Sequence, residues 1–416
     1  MTPTPRAALL LAALALAALL VSPLLALLAI LALAAATVVD ALTVRRRPEI
    51  ARSAPEVVAR GVPAKFRLRP GRPVLGPIRL RQPLPPDLEL RPASEGDGEV
   101  VAELVGIRRG RHPLPRPAVR VAGPLGLGAW FHRAGGEAEV RVYPDLPGAR
   151  RLALAVRQGH FREEARRTRG PLGLGTEFES VRDYSPDDDI RQVNWRATAR
   201  LGRPMSNQYR IERDRDVVCV VDCGRLLAAP LADGTRLDAG VDAAVAVAAV
   251  ADILGDRCGT IAFDAQVRRS LAPRRAGARA VVEALYDLEP EPVDSDYERA
   301  FREVGAAKRA FVLVVTDLLE EAAARSLLDA LPVVARRHAV AVASAADPDL
   351  TELLRRDPAR PLDVYRAAVA VEVLDARARV AAQLRHGGVD VVEAPPERFS
   401  AACVTAYLRA KSRARL

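Results

Sequence analysis

An uncharged apolar stretch near the N-terminus restricts this chain more than any other feature. The stretch Ala7–Val39 contains no charged residue, and only Ser22, Pro23 and Thr37 interrupt its apolar character. About 20 apolar residues are enough to span the hydrocarbon core of a bilayer. The apolar region of a cleaved signal peptide is much shorter than this stretch. The sequence therefore predicts a transmembrane anchor over residues 1–44.

Two arrangements fit the length of this stretch. As a single helix it would be about 50 Å long, and it would have to tilt or kink within a ~30 Å core. Alternatively, two short helices, Ala7–Val21 and Leu24–Val39, form a hairpin that turns at Ser22 and Pro23. The hairpin is favoured because the residue before a proline avoids the α conformation. The cluster Arg45–Arg47 follows directly, and the positive-inside rule places it, with the bulk of the chain, in the cytoplasm of a cell-membrane protein.

Composition excludes several classes of protein. The net charge is +10, but arginine is spread along the chain and interleaved with acidic residues. A nucleic-acid binder concentrates its basic residues in a patch, so nucleic acid is not an expected partner. Only four cysteines are present, which excludes a disulfide-built secreted module and agrees with a reducing compartment.

Residues 45–150 show the alternation that is typical of strands with one buried face. Runs such as Ala64–Leu68, Ile78–Leu80 and Glu139–Tyr143 alternate between apolar and polar side chains. Turns rich in glycine and proline separate these runs. The pattern predicts a small β-sandwich-like domain over residues 45–150, and nothing in it resembles a catalytic set.

Residues 215–416 alternate between continuous apolar runs and helical segments. The run Val217–Val221 ends at Asp222, and the run Ala310–Thr316 ends at Asp317. Fully apolar strands that alternate with helices form parallel sheets covered on both faces. The pattern predicts an α/β domain with a doubly wound parallel sheet, in which ligands bind at the carboxyl ends of the strands. The chain has no glycine-rich phosphate loop and no nucleophile elbow.

The connecting segment, residues 151–214, is dense in polar side chains. Ser185 suits a helix N-cap, Pro186 suits the first helical position, and Asp187–Asp189 suit the positive end of a helix dipole. An apolar stripe at helical spacing follows, and its members are Ile190, Val193, Ala197 and Leu201. The pattern predicts an amphipathic helix that starts after Ser185. This helix either only joins two domains, or its segment braces the domain junction with a polar network or forms part of a docking surface.

A longer pattern runs through the same segment. It reads E-F-x-x-x-R-x-Y-x-x-x-D-D-x-R-x-x-x-W-x-x-T-A-R, and it is met by Glu177, Phe178, Arg182, Tyr184, Asp188, Asp189, Arg191, Trp195, Thr198, Ala199 and Arg200. This pattern resembles the signature of the bacterial proteins known as domain of unknown function 58. The resemblance covers most of the chain and includes the apolar N-terminus and Val142–Pro144.

The resemblance implies a fold and a partner but no reaction. Members of this family typically carry an N-terminal membrane anchor and a C-terminal region similar to a von Willebrand factor A domain. They are often encoded beside MoxR-type AAA+ ATPases, which makes such an ATPase the expected protein partner. The signature residues are the expected binding residues.

The resemblance also implies a candidate metal site. A von Willebrand A domain can hold Mg²⁺ or Mn²⁺ at the ends of its strands through hard oxygen ligands. Asp222, Ser295 and Asp317 match part of that ligand set, whereas Gly224 and Leu226 stand where two serines are expected. The sequence therefore predicts at most a degenerate site for Mg or Mn.

These observations favour a membrane-anchored, non-catalytic adaptor whose cytoplasmic von Willebrand A-like domain binds a MoxR-type ATPase or its client. The alternative is a carboxylate- or metal-dependent hydrolase that uses Asp187–Asp189 together with Asp222 and Asp317. A third hypothesis is a structural module that works through the β region.

Overall fold

The computed structural model describes residues 1–17, 23–159, 177–185, 188, 190–210, 214–231, 234–305, 309–318 and 321–412. Residue contacts divide the chain into two compact units, Met1–Tyr143 and Pro144–Leu416, here called unit 1 and unit 2. The sequence placed this limit after residue 150. The limit lies earlier because helix Leu146–Arg157 packs against helix Arg236–Leu254 and so belongs to unit 2.

Unit 1 begins with two apolar helices that contact each other, α1 (Pro5–Ala17) and α2 (Pro23–Thr43). Within α2, the stretch Leu24–Thr43 is long and apolar enough to cross a membrane, whereas α1 is shorter. The prediction of an apolar N-terminal helix is thus confirmed. Residues 18–22, at the predicted turn of the hairpin, lie outside the described residues, so the number of membrane crossings stays a prediction.

The remainder of unit 1 is β structure. Its strands are β1 (Thr2–Pro3), β2 (Ile50–Ser53), β3 (Val57–Ala59), β4 (Ala64–Pro70), β5 (Ile78–Arg81), β6 (Leu88–Arg91), β7 (Glu95–Asp97), β8 (Val100–Gly106), β9 (Gly110–Leu114), β10 (Ala118–Ala122), β11 (Gly128–Arg133) and β12 (Ala138–Tyr143). They form sheets of order β1-β11-β10-β5-β7, β2-β4-β8-β6 and β3-β12-β9. Alternation determines which side chains form the core, since Phe66 and Leu68 on β4 are buried while Lys65 and Arg67, which alternate with them, are exposed.

Unit 2 combines a sheet with covering helices. Its strands are β13 (Glu177–Asp183), β14 (Met205–Arg210), β15 (Asp216–Asp222), β16 (Pro230–Leu231), β17 (Gly234–Thr235), β18 (Arg257–Phe263), β19 (Val267–Arg274), β20 (Ala310–Val315), β21 (Ala339–Ala345) and β22 (Asp390–Ala394). Its helices are α3 (Leu146–Arg157), α4 (Trp195–Leu201), α5 (Arg236–Leu254), α6 (Ala278–Leu285), α7 (Tyr297–Val304), α8 (Glu321–Ala335), α9 (Pro348–Arg355), α10 (Pro361–His386) and α11 (Pro396–Ser412).

The main sheet of unit 2 has the order β19-β18-β15-β20-β21-β22. Strands β15, β18, β20, β21 and β22 are parallel, as the apolar runs predict, and every residue of β15 and β20 is buried. The sheet is nevertheless mixed, because β19 runs antiparallel to β18. Asp264 N donates to the Gln266 carbonyl, and Gln266 N donates to Asp264 Oδ1, and these two bonds close the turn between the strands. The expectation of a purely parallel sheet is therefore wrong, since β19 is a half-exposed, arginine-rich edge strand without an apolar run.

Helices cover both faces of this sheet, as the doubly wound pattern requires. One face packs against α7, α8 and the end of α10, and the core there includes Phe263, Phe301 and Leu331. The other face packs against α5, α6 and α11. Helix α5 starts with a capping box in which the Thr235 and Asp238 side chains each accept the other residue's backbone N–H.

Candidate functional site

The carboxyl end of β15 holds a buried acidic side chain that is fully hydrogen-bonded. One carboxylate oxygen of Asp222, Oδ1, accepts from Gly224 N at 2.8 Å and from Ser295 Oγ at 2.5 Å. The other, Oδ2, accepts from Tyr297 Oη at 2.9 Å and from Thr316 Oγ1 at 2.7 Å. A carboxylate offers about four acceptor positions. The protein itself therefore satisfies this carboxylate.

The elements around Asp222 explain why these donors meet. Strand β15 lies between β18 and β20, where the strand order reverses, so its end opens on the crevice in which ligands of such sheets bind. Thr316 directly follows β20, and Tyr297 is the first residue of α7. A Cβ atom added at Gly224 would lie 2.2 Å from Ser295 Oγ. The Ser295 hydroxyl thus takes the space that a serine side chain at position 224 would need.

Burial governs the ionisation of this group. Burial raises the pKa of the Asp222 carboxyl, and the bonds from Ser295, Gly224, Thr316 and Tyr297 act in the opposite direction. Burial, and next the neighbouring Asp222 charge, hold the pKa of Tyr297 well above its ordinary value. Tyr297 therefore remains a neutral hydroxyl that donates to the carboxylate.

The neighbouring acid, Asp317, is surrounded by arginines. Its Oδ1 accepts from Ser344 Oγ at 3.1 Å and from Arg377 Nη2, and its Oδ2 lies 3.4 Å from Arg236 Nη1. All three charged side chains are at most 5% exposed. Arg236 also donates to Asp347 Oδ2 at 3.1 Å. Two guanidinium groups thus supply the positive charge next to this carboxylate.

The geometry disfavours a divalent cation at the predicted ligands. Asp222 and Ser295 are adjacent, but their side-chain oxygens are hydrogen-bonded to each other. Asp317 forms ion pairs with Arg236 and Arg377. Within the described residues, no group of three or more histidine, cysteine, aspartate or glutamate side chains is arranged to hold a metal ion. An incoming Mg²⁺ or Mn²⁺ would have to displace hydroxyl groups from Asp222. The residues do not fit the ion, and no chemistry is derived through it.

We expect Mg²⁺ and Mn²⁺ to leave the thermal unfolding midpoint unchanged at constant ionic strength. An ion at ~1 mM on a site with a dissociation constant of ~1 µM would instead add about 4 kcal/mol. Differential scanning calorimetry of the full chain in detergent, with EDTA and with each ion, measures this. The control variant is Asp222→Asn. A saturable rise in the native protein that is absent from the variant would show that a metal binds at Asp222.

The signature segment folds as a β-hairpin that carries a short helix. Strands β13 and β14 pair antiparallel, with Arg182 opposite Ser206 and Asp183 opposite Met205. Between them lie a single 3₁₀ turn, Ile190–Gln192, and α4. The prediction of one amphipathic helix that starts after Ser185 is therefore wrong.

Local hydrogen bonds explain the later start of the helix. Asp188 Oδ2 accepts from Ser185 N at 2.9 Å, but Oδ1 pairs with Arg182 Nη2 at 2.5 Å and ties the turn to β13. The N-cap is Asn194, whose Oδ1 accepts from Ala197 N at 3.0 Å. The Ser185 N–H, and then Arg182, hold the pKa of Asp188 below its ordinary value.

Other polar side chains of the segment bind its own backbone and its neighbours. Asn194 Nδ2 donates to Asn207 Oδ1 at 2.8 Å, and Thr198 Oγ1 accepts from Met205 N at 3.0 Å. Tyr184 Oη donates to the Asp188 carbonyl at 3.3 Å. These bonds hold α4 against β14. Asp187 and Asp189 lie outside the described residues, as do the side chains of Glu177, Phe178 and Arg191.

Three large apolar side chains of this segment remain exposed. Trp195 and Ile190 are each 69% exposed, and Leu201 is 54% exposed. Both basic residues on α4, Arg196 and Arg200, are exposed as well. Among the described side chains, Arg182, Asp188, Asn194 and Thr198 therefore build a scaffold, and Ile190, Trp195 and Leu201 are exposed on it. We call the surface formed by Ile190, Trp195, Arg196, Arg200 and Leu201 the signature surface.

The carboxylates proposed for hydrolysis fall into separate sets. Asp188 pairs with Arg182 in the hairpin, whereas Asp222 and Asp317 lie at the sheet edge. Among the described residues these three carboxylates share no hydrogen-bond partner. The hydrolase hypothesis stays a prediction without a specific observation in its favour.

The sequence did not predict which residues surround Asp222 and Asp317 at the carboxyl ends of the strands. Tyr297, Arg236 and Arg377 come from three helices, and no local spacing connects them with Asp222 or Asp317. The one available signal was the capping pattern of Asp296, which places Tyr297 at the start of a helix beside Ser295.

Comparison with curated proteins gives relatives of no described function. The chain is 27% identical over 274 residues to proteins described as uncharacterized from Mycobacterium bovis and from two strains of Mycobacterium tuberculosis. The match covers 59% of this chain and 82% of each relative.

Among solved structures, a membrane-spanning protein of Vibrio fischeri, described as uncharacterized, covers 32% of this chain and 71% of its own, at 17% identity and a TM-score of 0.18. A superoxide reductase (neelaredoxin) of Ignicoccus hospitalis covers 26% and 89%, at 15% identity and a TM-score of 0.16. Scores this low support no argument about fold or function. The informative match is to a family, since residues 180–383 match the one described as "Protein of unknown function DUF58", in agreement with the signature.

Proposed function

We propose that this protein is a membrane-anchored, non-catalytic adaptor whose cytoplasmic domain binds a MoxR-type AAA+ ATPase or the client of that ATPase through the signature surface. The apolar helix α2 supports the anchor by its length and composition. Its neighbours Arg45–Arg47 support a cytoplasmic body by the positive-inside rule. The identity of the partner is inferred from the resemblance of the signature to that of the domain of unknown function 58 family.

The fold proposed for unit 2 is von Willebrand A-like. Its support is a mixed sheet with β15 in the middle, an antiparallel edge strand and an aspartate at the carboxyl end of β15. In such a domain an open metal site could bind a ligand, but here hydroxyl groups hydrogen-bond both oxygens of Asp222, and two guanidinium groups form ion pairs with Asp317. Binding is therefore assigned to another surface.

The observation that carries the proposal is the exposure of Trp195. A buried aromatic side chain removes about 150–250 Å² from water, so a tryptophan that is 69% exposed leaves much of this stabilisation unused in the free protein. Asn194 fixes the start of α4 directly before it, so the indole is presented from an ordered scaffold. Exposed tryptophan and arginine are the residue types that dominate binding hot spots.

We expect Trp195→Ala to weaken capture of the ATPase by about 30-fold, which corresponds to about 2 kcal/mol for a hot-spot aromatic. Arg182→Ala is expected to weaken it as well, because Asp188 loses the ion pair that ties the turn to β13. The measurement is quantitative affinity capture on the full-length protein in detergent, with a MoxR-type ATPase from the same organism, in the presence of ATP and Mg²⁺.

The matched control is Tyr365→Ala, since Tyr365 is a 71% exposed aromatic residue on α10, outside the signature surface. Its capture is expected to equal that of the native chain. Circular dichroism confirms that each variant is folded. Unchanged capture by folded Trp195→Ala would contradict the docking role of the signature surface.

A further inference from the structure

Both ends of the apolar helix pair meet one glycine-rich turn of unit 1, Gly123–Gly128. At the N-terminal end, β1 pairs with β11, so that Pro3 lies opposite Gly128. Thr4 N then donates to the carbonyl of Leu127 at 2.9 Å. Helix α1 starts directly after this contact. The beginning of the helix pair is therefore fixed to the turn.

The end of α2 is fixed to the same turn by a buried carboxylate. Asp40 Oδ1 accepts from Leu125 N at 2.9 Å, and Oδ2 accepts from Leu127 N at 2.8 Å and Gly128 N at 3.0 Å. A Cβ atom at Gly128 would lie 2.4 Å from the Thr37 carbonyl oxygen, so only glycine allows this approach. No flexible linker separates the helix from the β structure.

The length of α2 determines the depth at which this turn would lie relative to a bilayer. The apolar stretch Leu24–Thr43 has 20 residues, and a helix of this length spans about 30 Å, which is the thickness of the hydrocarbon core. Asp40 lies in its last turn. If α2 crosses the core, Asp40 and the turn that it binds lie at the membrane–water interface.

The side chains around the turn suit such an interface. Leu125 is 64% exposed and Phe131 on β11 is 56% exposed. Arg6 and Arg45–Arg47, at the two ends of the helix pair, are exposed, and the guanidinium of Arg45 lies 6.0 Å from the centre of the Trp130 ring. Apolar and aromatic side chains next to arginines characterise surfaces that bind anionic lipid.

We propose that Leu125, Phe131, Arg6 and Arg45–Arg47 form a lipid-contacting collar that seats unit 1 directly on an anionic membrane surface. This inference depends on the membrane anchor of the proposed function. The apolar side chains of Leu125 and Phe131 enter the boundary between headgroups and acyl chains, about 5–10 Å deep. The arginines contact lipid phosphates, and the Asp40 clamp keeps both groups at this depth.

The test uses depth-dependent quenching of a fluorophore on single cysteines. The four native cysteines are buried, so bimane attaches selectively to Leu125→Cys, Phe131→Cys, Leu31→Cys and Ile107→Cys of the full chain. Leu31 on α2 is 57% exposed and reports the anchor. Ile107 is 46% exposed, follows β8, and serves as the control, because β8 does not pair with β11. Each labelled protein is reconstituted in phosphatidylcholine–phosphatidylglycerol vesicles whose acyl chains are unbrominated, brominated near the headgroup, or brominated near the chain end, the last for the label at 31.

We expect brominated lipid to quench the labels at 125 and 131 and to leave the label at 107 unchanged. Quenching at 31 without quenching at 125 and 131 would overturn the collar while the anchor stands. No quenching at 31 would overturn the anchor and the collar with it. Labels at 125 and 131 that are shielded from aqueous iodide but insensitive to bromine would show that protein covers this face, which also contradicts the proposal.

Discussion

Replacing Asp317 by alanine is expected to lower the free energy of unfolding of unit 2 by about 3–5 kcal/mol, the cost of breaking a buried ion pair from one side. The substitution leaves the guanidinium groups of Arg236 and Arg377 buried without the carboxylate between them. The Nε atoms of both arginines already lack a hydrogen-bond partner. The remaining partners of Arg236, the Ala345 carbonyl and Asp347, can offset only part of this loss.

Urea unfolding of the full chain in detergent measures the change for Asp317→Ala, and hydrogen exchange of β20 and β21 assigns it to unit 2. The control is Glu298→Ala, which removes an ion pair with Arg302 whose side chains are 75% and 70% exposed. Exposed pairs contribute little, so its effect should stay within about 0.5 kcal/mol. An Asp317→Ala variant as stable as this control would show that the arginine network does not hold the sheet edge together.

The second large effect is expected at the C-terminal helix. Lys411→Met should also lower the free energy of unfolding by about 3–5 kcal/mol, because it leaves the buried carboxylate of Asp256 without its positively charged partner. Asp256 Oδ2 accepts from both Lys411 and Tyr407 of α11, and its Oδ1 accepts from Arg215 N at 3.1 Å. These bonds join α11 to the starts of β15 and β18.

Thermal unfolding combined with hydrogen exchange of α11 measures the effect of Lys411→Met. The control is Arg409→Met on the same helix, whose pair with Asp390 at 3.4 Å is about 40% exposed on both sides. It should change stability by less than about 1 kcal/mol. Equal effects of the two substitutions would contradict the special role of the buried pair.

The parallel strands and long helices of unit 2 could be predicted from sequence because their signals are local. The apolar run that ends at Asp222 is the observed β15, and the run Ala310–Thr316 before Asp317 contains the whole of the observed β20. Strand β19 was not predicted, because an edge strand needs no apolar run and here carries several arginines. The start of α4 could have been predicted, since Asn194 is a good N-cap directly before it.

The candidate site itself was predictable only in part. The sequence predicted Asp222 and Ser295 as members of one site, and their side chains are hydrogen-bonded in the structure. The ion pairs of Asp317 were not predictable, because Arg236 and Arg377 come from distant parts of the chain. Which signature residues face solvent also depends on the hairpin register, which places Arg182 and Asn194 in internal bonds and leaves Trp195 exposed.

The proposed docking site for the protein partner is the signature surface around Trp195. Its most direct test is photo-crosslinking in native membranes, with benzoylphenylalanine placed at position 195 or, as a control, at position 365 of the full chain. Both native residues are exposed aromatics, at 69% and 71%. We expect a covalent adduct with a MoxR-type AAA+ ATPase, or with its client, at position 195 and none at position 365. No adduct with either protein at position 195, or equal adducts at both positions, would contradict a docking role of the signature surface.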